Sequence, residues 1–255
     1  MNRDHRPFDA VLFDLGGTLI YFDCETRGVF DRMDAAMFES LQSSFNNLDQ
    51  ERFLQQFNSR QKAYEKERDD GFIQRTTAFI VRQVLQEAGY EQPAPGVIEA
   101  ALKARYGVSQ ACWKVEDGVE LVLGSLQAAG IPLAIVSNAG DDEDVQTLID
   151  NAHLRPYFKV IVSSAAAGIR KPNPRIFLDV LSRLRVEPGR ALMVGDMLEA
   201  DILGAQNAGL FSVWVTRRAS QAANQDHLDT IKPDAVIGSI SELPGLLEKL
   251  SMRNE

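Results

Sequence analysis

Ala10-Val11-Leu12-Phe13-Asp14-Leu15-Gly16-Gly17-Thr18-Leu19 runs four apolar residues into a carboxylate and then into a pair of glycines. A short continuous apolar run closed by a turn signal reads as a strand buried on both faces. Strands of that kind belong to parallel sheets covered by helices on either side. Asp14 then stands at the carboxyl end of a strand, where open α/β sheets hold their ligands.

The rest of the chain extends this pattern. From residue 118 onward, helical segments at 121–129, 141–149, 174–184, 199–208 and 241–250 alternate with apolar runs at 131–136, 160–162, 191–194, 211–215 and 235–237. Asn173 is placed to cap the 174–184 helix, and Pro174 suits its first turn, where a missing amide hydrogen costs nothing. Short strands separated by helices predict an α/β fold, a Rossmann-like parallel sheet flanked by helices. Between 26 and 106 the period changes. Val29, Phe30, Met33, Met37, Leu41 and Phe45 recur at helical spacing, as do Phe72, Ile73, Val81, Val84 and Leu85. That predicts about four helices with an aromatic interior and no strand. The expected organisation is a core domain of residues 1–20 and 110–255, with 21–109 inserted as a second, helical domain.

Composition excludes several functions. At 255 residues and 45% hydrophobic content, the chain can bury a sizeable core. A formal net charge of -9 argues against a nucleic-acid partner, and any phosphate site must then carry its own local cations. Cys24 and Cys112 lie far apart and form no CxxC, which suggests neither a disulfide framework nor a zinc site. His5, His153 and His227 leave little material for a histidine-based triad or metal cluster. The first residues lack the apolar stretch of a signal peptide, and no run approaches a membrane span, so a cytoplasmic protein without a membrane partner is expected.

Polar residues gather where the predicted strands end. A carboxylate such as Asp14 is a nucleophile when a cation shields it, or else a cap for the following turn. Gly16 and Gly17 permit a tight turn and close ligand approach, and Thr18 offers a hydroxyl. Asp196 and Asp201, with Asp14, supply the hard oxygen donors that magnesium takes. Pro172 holds Lys171 extended, and its ammonium is suited to neutralise both a nucleophilic carboxylate and a bound phosphate. Ser137 is either a phosphate contact or a turn residue.

These segments resemble the haloacid dehalogenase-like hydrolase superfamily over nearly the whole chain. Its first motif is similar to Asp14-Leu15-Gly16-Gly17-Thr18-Leu19 and its second to Ser137-Asn138. The third is similar to Arg170-Lys171-Pro172-Asn173-Pro174, and the fourth to Val194-Gly195-Asp196-Met197-Leu198-Glu199-Ala200-Asp201-Ile202. The resemblance implies that the helical insertion is a cap over the site and that the substrate is a small phosphorylated molecule. Asp14 would be the catalytic nucleophile, assisted by Lys171. Thr18, Ser137, Asn138 and Lys171 would hold phosphate or substrate. Asp14, the Gly16 carbonyl and Asp196 would bind Mg2+, with Asp201 supporting the metal site.

At one position the chain departs from the family's phosphatases, which carry a second aspartate where Gly16 stands. That aspartate protonates the leaving alcohol and later activates water. Without it, the resemblance implies a magnesium-dependent phosphatase-like hydrolase that favours aryl or acyl phosphates, or one that takes an acid from the cap, where Asp23, Glu25, Glu65 and Glu67 are candidates. The alternatives are a 2-haloacid dehalogenase-like enzyme, whose halide leaves without a proton, and a phosphonoacetaldehyde hydrolase-like enzyme using Lys62 or Lys66. A further alternative is a non-catalytic phosphate-binding or regulatory protein on the same fold.

Overall fold

The computed structural model describes residues 7–219 and 222–252. Its centre is a six-stranded sheet of β1 (Ala10–Phe13), β4 (Leu133–Ser137), β5 (Phe158–Ser163), β6 (Ala191–Gly195), β7 (Phe211–Val215) and β8 (Ala235–Ile237). The spatial order is β5-β4-β1-β6-β7-β8, and every pairing is parallel. The chain builds outward from β1 to one side, then crosses back to begin again at β6 on the other. The carboxyl ends of β1, β4 and β6 therefore flank the topological switch point, and Asp14, Ser137 and Asp196 sit there.

Alternation along β1 sorts its side chains to the two faces. Val11 and Phe13 enter one apolar layer with Leu123, Leu126, Ile149 and Leu243. These come from α5 (Val119–Ala128), α6 (Asp142–Asn151) and α11 (Leu243–Met252). Ala10 and Leu12 enter the opposite layer with Ile176, Phe177, Val180 and Ala205, from α8 (Pro174–Leu184) and α9 (Gly204–Asn207). The 174–184 helix forms as the sequence predicts, and the Asn173 carboxamide accepts from the Arg175 amide at 3.0 Å. Two four-residue helices, α7 (Ser164–Ala167) and α10 (Ala222–Gln225), complete this part of the chain.

The insertion forms four helices, α1 (Thr26–Gln42), α2 (Gln50–Gly71), α3 (Thr77–Glu87) and α4 (Val97–Gln110). They share their own aromatic core of Phe38, Phe45, Phe53 and Phe57, packed on Val81, Val84 and Leu85. The chain enters and leaves this block through a feature absent from the sequence reading. β2 (Ile20–Phe22) and β3 (Trp113–Val115) pair antiparallel as a separate two-stranded ribbon.

The ribbon also corrects the reading of the cysteines. Pairing Phe22 with Trp113 brings the next residues together, and Cys24 and Cys112, 88 residues apart in sequence, form a disulfide. Sequence distance hid a contact that strand register creates. A second attachment lies at residues 72–77. There the Thr77 amide donates to the Gly140 carbonyl at 2.8 Å, the Gln74 amide to Gly168 at 3.0 Å, and the Arg170 amide to Phe72 at 2.9 Å. Among the described residues, no helix is long and apolar enough to cross a membrane.

Candidate active site

Lys171 is the organising residue. Its ammonium lies 2.6 Å from an oxygen of Asp14 and 2.6 Å from an oxygen of Asp201, and all three residues are buried. Burial works against the charge on Lys171. Asp14 and Asp201, by charge and by hydrogen bond, outweigh burial and hold the lysine above the usual ammonium value. The main chain of Lys171 is clamped by one side chain. Asn138 accepts from the Lys171 amide at 2.9 Å and donates to its carbonyl at 3.0 Å. Both ends of the Asn138 carboxamide thus position Lys171.

Two glycines let carboxylates approach the backbone. Gly17 has φ +83°, and a Cβ there would stand 2.4 Å from an Asp196 oxygen; a Cβ on Gly195 would meet the Asp201 carboxylate even more closely. Asp201 lies in a π-helical turn, Leu198–Leu203, and also accepts from the Met197 amide at 3.0 Å. π-turns of this kind recur at functional sites. Asp14, Asp196 and Asp201 each place a carboxylate oxygen within 4.8 Å of the others. Such a buried, all-oxygen donor set fits a hard divalent cation.

Electrostatics agree with that fit. Burial, opposed by Lys171, pushes Asp14 up to about 6, and Asp201 adds to the rise. Burial and then the charges of Asp14 and Asp201 push Asp196 up to about 8. Both groups hold protons in the metal-free fold at pH values where the unfolded chain has released them. Stability from those protons is complete below about pH 4 and is lost as pH rises through about 6 and then about 8. A cation bound there would take the place of the protons. Metal-free protein is therefore expected to melt at a lower temperature at about pH 8 than at about pH 5, with added magnesium raising the melting temperature more at the higher pH. Thermal melts at the two pH values, with and without magnesium, check both signs; an equal magnesium effect at both would refute the linkage.

These residues open onto a cavity of about 600 Å³ whose lining includes Asp14, Gly16, Gly17, Ser137, Asn138, Lys171 and Asp201. Ile20, Tyr21, Phe22, Trp113, Val145 and Leu148 make its other side apolar. Thr18 is placed differently. It is buried, its hydroxyl has no hydrogen-bond partner, and it borders a small separate cavity beside Glu116 and Arg217. It does not line the large cavity.

Trp113 occupies the ground beside Gly16. A Cβ on Gly16 would lie 3.3 Å from the Trp113 ring. An aspartate there would press on the indole, so the glycine and the tryptophan fit each other. The Trp113 ring meets Phe22 edge-on at 5.4 Å, and the pair is fixed by the β2–β3 ribbon and the disulfide beside it.

The acids named from the cap, and Lys62, fall outside the large cavity. Asp23, Glu25, Glu65, Glu67 and Lys62 do not line it. The side chain of Lys66 and the whole of His5 lie outside the described residues. Arg218 does line the cavity, stacked over Tyr21 at 3.9 Å and hydrogen-bonded to the buried Glu116.

Asn224 was missed by the sequence reading. It is fully buried, accepts from the Leu198 amide at 2.8 Å and donates to the Asp196 carbonyl at 2.9 Å, so it holds the loop carrying the acidic residues. Trp214 donates to the same carbonyl at 3.0 Å. No local signal marks Asn224, which lies in a polar stretch and reaches this loop only through tertiary packing.

Comparison with known proteins places the arrangement among relatives. A family described as haloacid dehalogenase-like hydrolase matches residues 8–209. Haloacid dehalogenase-like hydrolase domain-containing protein 3 of Mus musculus is 33% identical over 138 residues, 54% of this chain and 53% of that protein. The matched stretch therefore spans about half the length of that relative. Glyceraldehyde 3-phosphate phosphatase of Methanothermobacter thermautotrophicus is 30% identical over 165 residues, 64% of this chain and 72% of that protein. In architecture, the crystal structure of 2-haloacid dehalogenase from Pseudomonas syringae pv. Tomato DC3000 superposes with a TM-score of 0.65 at 25% identity. That likeness covers 95% of this chain and 99% of the other.

Proposed function

The chain belongs to the haloacid dehalogenase-like hydrolases, and on that premise we propose that it is a magnesium-dependent phosphatase-like hydrolase acting on small phosphorylated molecules through Asp14. The observation that carries this reading is Lys171, buried 2.6 Å from both Asp14 and Asp201 with Asp196 in the same cluster. A lysine so held screens the carboxylate that attacks and the anion that is attacked.

An Asp14 oxygen attacks phosphorus, the bond from phosphorus to the leaving oxygen breaks, and an aspartyl phosphate forms. Water then attacks that phosphorus and frees Asp14. Lys171 faces the phosphoryl oxygens together with Ser137 on the cavity wall. Asp14, Asp196 and the Gly16 carbonyl would hold magnesium, with Asp201 in support. The cation would neutralise charge on the phosphoryl group as it transfers. The helical block acts as a cap, tied to the core through residues 72–77 and the ribbon, and closes water out of the cavity.

With Gly16 beside Asp14, the leaving oxygen meets no acid at that position, and the apolar wall of Trp113, Phe22 and Leu148 suits an aryl group. Aryl phosphates, whose leaving oxygen needs no proton, should therefore be turned over faster than alkyl phosphates. Phosphate release from aryl, acyl and alkyl phosphates, measured with and without magnesium, tests this. No release from any of them would overturn the reading and leave a phosphate-binding protein.

A second reading, a 2-haloacid dehalogenase, draws support from the dehalogenase likeness and from Gly16, since halide departs without a proton. Halide release from 2-haloacids in the same screen separates the two.

A further inference from the structure

The cavity raises a question that Gly16 leaves open, namely where an alkoxide leaving group finds its proton. Its lining contains three carboxyl side chains, Asp14, Asp144 and Asp201. Lys171 holds two of them, Asp14 and Asp201, at 2.6 Å. The third is free of that lysine. Asp144 sits in the first turn of α6, and Val145 and Leu148 on the same side of that helix line the cavity with it. Its carboxylate accepts a hydrogen bond at 3.0 Å from Gln110, the last residue of α4 in the helical block. The contact crosses from the helical block to the core.

We propose that Asp144 donates the proton to the leaving oxygen, in place of the acid that Gly16 lacks. This rests on the phosphatase reading above. As the bond from phosphorus to the leaving oxygen breaks, its electron pair passes to that oxygen, which takes the Asp144 proton. Asp144, now a carboxylate, regains its proton from solvent, and the water that attacks the aspartyl phosphate passes its own proton to the phosphate it releases. The new phosphorus–oxygen bond forms as the bond to Asp14 breaks, and Asp144 is returned to its acid form.

The surroundings of Asp144 suit this role. Burial pushes its carboxyl up to about 6, against the Gln110 hydrogen bond; Asp141 adds to the rise and Arg105 opposes it. Glu143 on its own helix, and Glu99, Lys103 and Tyr106 from α4, line a neighbouring cavity that Asp144 also borders. A proton donor works best when its pKa lies near the operating pH. The acid form is present below about pH 6 and declines above it.

The test compares wild type with Asp144→Asn on para-nitrophenyl phosphate, whose leaving group needs no proton, and on a simple alkyl phosphate. Both are assayed with magnesium between about pH 5 and about pH 9. The expected result is a loss of about 10²-fold or more in kcat on the alkyl ester, with the aryl ester within about threefold of wild type. Retained aryl turnover also shows that the variant is folded. The fall in wild-type alkyl turnover as pH rises above about 6 should be absent in Asp144→Asn. Asp144→Glu, which keeps the acid, should recover at least about tenfold of the alkyl loss. Equal losses on both esters, an unaffected alkyl ester, or no recovery in Asp144→Glu would overturn the proposal while leaving the phosphatase reading intact. A wild-type protein that releases no phosphate from either ester would overturn both.

Discussion

Asp14→Asn is expected to lose magnesium-dependent phosphate release from an aryl phosphate by on the order of 10³-fold or more, a barrier increase of about 4 kcal/mol. The substitution is close to isosteric and leaves Lys171 its second partner, Asp201, at 2.6 Å. The carboxylate it removes is one whose ionisation burial opposes. The fold should therefore survive, with unfolding in denaturant little changed. What disappears is the nucleophile and one of the three clustered carboxylates. Weaker magnesium binding by calorimetry should accompany the loss of turnover. A variant that keeps wild-type turnover would remove Asp14 from the chemistry altogether.

Lys171→Met carries the largest expected effect on stability. It leaves Asp14 and Asp201 buried without the ammonium that holds both, and Asp196 already feels their charge. Breaking a buried ion pair from one side costs about 3–5 kcal/mol. Asp14 and Asp196 have raised pKa values even with the lysine present, so without it the carboxyls take up protons more readily. The cost should then be greatest at about pH 8 and shrink towards about pH 5, as protonation relieves the repulsion. Chemical denaturation at the two pH values measures this. An effect below about 1 kcal/mol at the higher pH would mean that the lysine does not organise the cluster.

The sheet was legible in the sequence because its strands are buried on both faces. Runs such as Ala191-Leu192-Met193-Val194 are apolar without alternation, and the helices between them carry their own start signals, as Asn173 and Pro174 do. Asp14 and Asp196 stand out for the same reason, since each directly follows one of these strands, β1 and β6. The ribbon was not. β2 and β3 have three residues each, too short for a period, and they pair with each other across the whole helical insertion.

Everything that depends on the ribbon was hidden with it, including the disulfide and the Trp113 ring beside Gly16. Asp144 was equally obscure. It sits in a run of acidic residues at a helix start, and only the packing of Gln110 and Leu148 shows that it faces the cavity while Asp141, Asp142 and Glu143 do not. Thr18 shows the converse limit: its place in a motif suggests a ligand contact, and it borders a small separate cavity instead of the large one.

The disulfide also gives the molecule a second covalent topology. Cys24 and Cys112 join the chain where it enters the helical block to the chain where it leaves, so the four helices lie in a closed loop hung from the core by two adjacent strands. A peptide bond cut in the exposed segment between α1 and α2 would open that loop without dividing the protein. The pieces would stay linked through sulfur, and the core would keep its path from β1 to β8. Only when a thiol reductant acts as well would the nicked chain separate into two fragments, making backbone integrity and redox state joint conditions for a single covalent molecule.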